Sequence, residues 1–213
     1  MVEPSRTAVV MIDMQNGFID RRSPLCIEHA AQTIPACARV LETARTNGMT
    51  VVHAIRSYAA DGSNVEPCRY SIWKHGKPLS SECDASINAD EPQELAPTAC
   101  DIVVTKPSFS AFFQTELDDM LRKRGIDTVV LLGTTTPNCI RSSCYDALAL
   151  GYNVAVVEDA TSSRTEAVQI ANIEDMEFIG AYILDSLQFS RCLLSGMENT
   201  AARVRADRLG TLE

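Results

Sequence analysis

Five short apolar runs recur along the 213-residue chain: TAVVMID (7–13), VVHAI (51–55), DIVVT (101–105), DTVVLLG (127–133) and NVAVVED (153–159). They are short and rich in valine and isoleucine, so each predicts a strand buried on both faces. Between them, segments with helical periodicity predict helices over 30–47, 115–124 and 138–150. Gly48, Gly125 and Gly151 close these three in turn, glycine being the residue that most readily adopts a left-handed helix end. A further helix, about 165–180, leads to a last strand near 181–184. Strand and helix alternate throughout, which implies right-handed crossovers and helices on both faces of one sheet. The predicted fold class is α/β: three layers, α/β/α, doubly wound around a mainly parallel six-stranded sheet.

The segment 56–97 breaks the rhythm. It is rich in Ser, Gly, Pro, Asp and Glu, carries the sole tryptophan, Trp73, and reads as a lid or substrate-loop insertion. Residues 1–190 are expected to form a single domain containing it, and 191–213, polar with scattered arginines, a C-terminal tail or arm.

Composition narrows the range of partners. With 46% hydrophobic and 22% charged residues the chain is that of an ordinary globular protein, and its net charge of -9 offers no basic stripe for nucleic acid or an anionic membrane. No apolar run approaches the roughly 20 residues of a membrane span, and the N-terminus lacks the features of a signal peptide, so a cytoplasmic location is expected. Eight cysteines without a CxxC pair read as free thiols rather than a zinc site or a disulfide frame.

In a parallel sheet, ligands bind where strands end at their carboxyl edge. Asp13 closes the first predicted strand, Lys106 follows the third, and GTTTPNC (133–139) follows the fourth, so their polar groups can converge. Taken singly, Asp13 reads as a cap or surface acid and Lys106 as a solvated lysine. At the mouth of a hydrophobic layer, however, the carboxylate can exchange a proton with a thiol, and a lysine beside it favours thiolate. Cys139 sits where a strand turns into a helix begun by Thr136, Pro137 and Asn138. Its thiol is expected to face the positive end of the helix dipole, with a lowered pKa and backbone N–H groups at hand. Cys144, five residues on, reads as packing.

The motifs AVVMIDMQNGFID, KPSFSAFF and GTTTPNCIRSSCYDALALGYNVAVVEDA, in this order and spacing, resemble the isochorismatase-like cysteine hydrolase superfamily over about residues 7–185. The resemblance implies an Asp13–Lys106–Cys139 triad and a non-proline cis peptide at Thr134–Thr135. It also implies an oxyanion hole built from the backbone N–H groups of Thr135 and Cys139. A cysteine implies amide or ureide hydrolysis through an acyl-enzyme, whereas members that cleave a vinyl ether lack it. It further implies a homo-oligomer, dimer or tetramer.

The substrate expected is a small amide or ureide, one that can carry a carboxylate. Candidate substrate-binding residues are Gln15 and Phe18 just after Asp13, Arg56 after the second strand, Trp73 and Phe112 as pocket walls, and Arg164 after the fifth strand, with Arg69 as a further arginine. Surface arginines and core aromatics are the plain alternatives. Nicotinamidases in this superfamily hold a metal through Asp-x-His after the second strand. Here Val51 stands two residues before His53, so neither metal nor cofactor is expected, and His29, His53 and His75 read as structural. A nicotinamidase, or a non-catalytic or redox-sensing protein on the same scaffold, is the alternative.

Overall fold

The computed structural model describes residues 2–210. Six strands, β1 (Thr7–Ile12), β2 (Thr50–Ile55), β3 (Ile102–Thr105), β4 (Thr128–Thr134), β5 (Asn153–Ser162) and β6 (Tyr182–Leu184), form one sheet in the order β3-β2-β1-β4-β5-β6. Every neighbouring pair is parallel. The helices are α1 (Asn16–Ile19), α2 (Ile34–Thr46), α3 (Pro67–Trp73), α4 (Leu117–Lys123), α5 (Arg141–Ala149), α6 (Glu166–Phe178), α7 (Ser186–Cys192) and α8 (Thr200–Gly210). The six expected strands and four expected helices are present, with ends moved by a few residues.

Alternation along the strands separates two apolar layers. Val9, Met11, Val51, Val130, Leu132 and Val157 pack with α2 and α7 on one face. Ala8, Val10, Ile12, Val52, Val129, Leu131 and Val156 pack with α4, α5 and α6 on the other. Covering both faces buries all of β1 and β4. The run at 101–105 departs from its expectation: β3 is an edge strand, and Val103 is half exposed. Among the described residues no helix is long and apolar enough to cross a membrane.

The insertion has a small core of its own, in which Tyr58, Val65, Trp73 and Leu79 close on Phe18 and Leu25. The first part of the stretch expected to be a tail is docked, while α8 beyond it is exposed over residues 203–208. Leu194 and Met197 are buried, and the Asn199 side chain bonds Asn153 and Asp127 ahead of α8. Residues 211–213 of that segment lie outside the described residues.

Strand order reverses between β1 and β4, and Gly133 makes the close approach there possible. At φ +113 a Cβ on it would lie 2.1 Å from the Ile12 carbonyl oxygen, so a side chain would push the two strand ends apart. The crevice outside this switch point is where a doubly wound sheet offers its ligand site.

Candidate active site

Asp13, Lys106 and Cys139 meet at this crevice, each about 1% exposed. Asp13 leaves β1 in a left-handed conformation (φ 54), which aspartate tolerates better than most residues, and its N–H donates to Ala54. Lys106 starts two strands away at the end of β3, where its own N–H donates to Ile55. Strands lie about 4.8 Å apart, so only a long side chain spans the gap. Lys106 Nζ does so, donating to Asp13 Oδ2 at 2.7 Å and to the Ser108 carbonyl at 3.1 Å. Asp13 Oδ1 is buried and has no hydrogen-bond partner among the described residues.

Cys139 lies in a π-helical turn, Thr136–Ile140, that precedes α5. Such turns are uncommon and recur at functional sites. The Thr134–Thr135 peptide is cis. Thr134, Thr135 and Thr136 are tied to β5 through hydroxyl bonds to Ser162, fixing the turn against the sheet.

The thiol differs from its expectation. Burial pushes the Cys139 thiol above its ordinary value, the Asp13 carboxylate pushes it further, and Lys106 and Arg56 oppose them only in part. A helix dipole contributes about 0.3–1 kcal/mol near its end, too little against loss of solvent around a sealed thiol. Cys144 lies on the buried face of α5 and is pushed up to about 12 by burial alone.

The remaining candidates divide. The Arg56 guanidinium is 1% exposed, and its charge acts on Cys139. Gln15 is also at the site, but its amide is engaged: it donates to the Arg56 and Ala89 carbonyls and accepts from the Arg56 N–H. Its part is therefore to clamp the chain after β2. Phe18 stacks beneath Arg69 at 5.4 Å and belongs to the insertion core. Trp73 is buried there too, its indole N–H donating to Pro78. Phe112 packs in the sheet core, 5.9 Å from the Tyr152 ring. Arg164 is exposed and makes no ion pair among the described residues.

Three residues were not anticipated. Phe109 is half-buried and lies 5.5 Å from the Arg56 guanidinium and 5.3 Å from that of Arg69. Tyr58 and Glu66 both bond Arg56. Phe109 stands in an aperiodic loop with Phe112 and Phe113, and nothing in that sequence separates them. Glu66-Pro67 did carry a signal, an acid at the start of a helix, which reads only as a cap.

The metal ligands of nicotinamidases do not fit here. His53 lies within β2, where Nδ1 meets Glu91 at 2.6 Å and Nε2 faces Asp101 at 3.4 Å, itself paired with Arg45. No group of three His, Cys, Asp or Glu residues poised to hold a metal occurs among the described residues.

Comparison with known proteins agrees with this fold. The isochorismatase domain matches residues 7–188. A probable inactive nicotinamidase of Arabidopsis thaliana is 36% identical over 184 residues, covering 82% of this chain and 89% of that protein. A maleamate amidohydrolase of Pseudomonas putida is 33% identical over 179 residues, covering 81% and 79%. The crystal structure of an isochorismatase family protein from Desulfovibrio vulgaris superposes with a TM-score of 0.81 at 39% identity, covering 88% of this chain and 98% of that one. The domain match spans most of the chain, so this chain belongs to the isochorismatase family.

Proposed function

We propose that the protein is a cysteine amidohydrolase that releases ammonia from a small carboxamide or ureide. The observation that carries the reading is the buried convergence of Asp13, Lys106 and Cys139, in which one carboxylate oxygen is held by Lys106 and the other is unengaged. A thiol kept neutral by burial becomes a nucleophile when a base removes its proton as it attacks. Asp13 takes the Sγ proton while Sγ bonds to the carbonyl carbon, and Lys106 balances the negative charge. The backbone N–H groups of Thr135 and Cys139 receive the oxyanion. Collapse breaks the C–N bond, and nitrogen leaves as ammonia with the proton from Asp13. Water then attacks the thioester, giving its proton to Asp13, which returns it to Sγ as the C–S bond breaks.

The name of the Arabidopsis relative favours a second reading, a non-catalytic protein on the same scaffold. Ammonia release from a panel of primary amides and ureides, nicotinamide included, separates the two. Under the first reading at least one member turns over and Cys139 gains the acyl mass in a quenched reaction. Turnover that survives Cys139→Ala, or none on any member, overturns it.

A further inference from the structure

Arg56 is held at both ends. Its backbone N–H and C=O are clamped by the Gln15 amide, and Nη1 donates to Tyr58 Oη at 3.2 Å and to Glu66 Oε1. Glu66 is the N-cap residue of α3, yet its side chain makes no cap hydrogen bond. Its carboxylate turns instead to Arg56 and, through Oε2, to the Tyr58 hydroxyl at 2.7 Å. Nε and Nη2, in contrast, are buried and have no hydrogen-bond partner among the described residues. These two nitrogens lie on one edge of the planar guanidinium, the edge that meets a carboxylate with two parallel hydrogen bonds.

A fork of buried, charged N–H donors is costly to leave unpaired, so its geometry points to an acceptor that arrives with the ligand. The charges at the site indicate which kind. Lys106 pairs with Asp13 and Arg56 with Glu66, whereas Arg69, stacked between Phe18 and Phe109, makes no ion pair among the described residues. The site therefore carries one surplus positive charge. The Arg56 guanidinium also lies over the Tyr58 ring, 6.0 Å from its centroid.

We propose that the Nε–Nη2 edge of Arg56 seats a carboxylate of the substrate, that Glu66 is a positioning residue aiming this fork, and that the protein takes monoanionic amides or ureides in preference to neutral ones. The substrate class rests on the amidohydrolase reading; the anion seat does not. Glu66 and Tyr58 occupy Nη1 and leave the bidentate edge for the ligand, and the Gln15 clamp means that little ordering remains when it binds.

The test uses matched pairs: four-carbon diacid monoamides and N-carbamoyl amino acids, each against its methyl ester. Wild-type protein is expected to favour the acid about 10- to 100-fold in kcat/KM, the worth of a charge-assisted pair of hydrogen bonds. Arg56→Lys keeps the charge but not the fork. It is expected to raise KM for the acids about 10-fold or more, change kcat less, and bring the acid-to-ester ratio close to one. Glu66→Gln is expected to lower the same ratio by a smaller factor, acting on KM for the acids more than on kcat. Esters that turn over as well as their acids, or an Arg56→Lys variant with an unchanged ratio, overturn the anion seat. Thermal shift of Cys139→Ala with each pair needs no chemistry: stabilisation by acids alone supports the seat even if no amide is hydrolysed, and equal shifts overturn it.

Discussion

Two buried aspartates at opposite ends of the same sheet show how a structural charge differs from a reactive one. Asp127 lies at the amino edge, 1% exposed, and both its oxygens are engaged: Thr128 bonds one, while Arg6 at 2.9 Å and Asn199 at 3.1 Å bond the other. It ties the start of β4 to the chain termini. Asp13, equally buried at the carboxyl edge, gives one oxygen to Lys106 and leaves the other unengaged beside a thiol. Open space runs the other way. A cleft of about 730 Å³ adjoins the amino edge between α8 and the ends of β5 and β6, whereas the triad is sealed. Incomplete pairing in a buried polar group, rather than cavity volume, marks the end where chemistry belongs.

The contrast breaks most sharply on activity. Cys139→Ala and Asp13→Asn are each expected to lower kcat on the best amide by about 10⁴-fold or more, as when one member of a concerted catalytic unit is removed. Asp127→Asn should leave kcat within about twofold. Steady-state ammonia release measures both, and an Asp13→Asn variant retaining a tenth of the rate would erase the distinction.

Stability separates the two ends next. Lys106→Met strands the Asp13 carboxylate in the interior and is expected to cost about 3–5 kcal/mol in urea unfolding, while Asp13→Asn with Lys106→Met restores most of it, because an absent pair costs less than a broken one. A double variant no more stable than Lys106→Met alone would show that the pair is not the cause. Asp127→Ala is expected to cost about 2 kcal/mol, below the buried-pair range because Arg6 and Arg205 are partly exposed and can turn to water. A loss near zero would remove Asp127 as a structural tie.

Much of this was legible in the sequence, for identifiable reasons. Apolar runs closed by Asp13, Lys106 and Gly133 announce strand ends, and the rule that ligands collect at the carboxyl edge brings their side chains together before any coordinate is known. What periodicity does not reach is the insertion. Trp73 looked like a pocket wall because aromatics in a loop near a site often are, but the insertion folds on it as part of its own core. Phe109 and Phe112 are indistinguishable in SFSAFF, since three residues of spacing in an aperiodic loop do not say which ring turns inward. Arg56 was legible as an arginine leaving β2. Its partner Glu66 was not, because the pairing depends on where α3 is laid across the sheet.

The thiol provides the smallest and most diagnostic effect. Cys68 and Cys100 are exposed, and Cys139 is buried and held above the ordinary thiol value of 9.0. Alkylation requires thiolate, so at pH 7 limiting iodoacetamide is expected to label Cys68 and Cys100 at least about tenfold faster than Cys139. A raised folded-state value means that the folded chain retains a proton the unfolded chain loses. Cys139, with Cys37 and Cys144 both pushed up to about 12, therefore contributes a loss of stability as pH rises above about 9. Peptide mapping against pH reads the first effect and urea midpoints the second. Cys139 labelled ahead of the exposed thiols at pH 7 would mean a thiolate already formed at rest. Proton transfer to Asp13 would then precede substrate, and the unengaged Asp13 oxygen would no longer distinguish the reactive end of the sheet from the structural one.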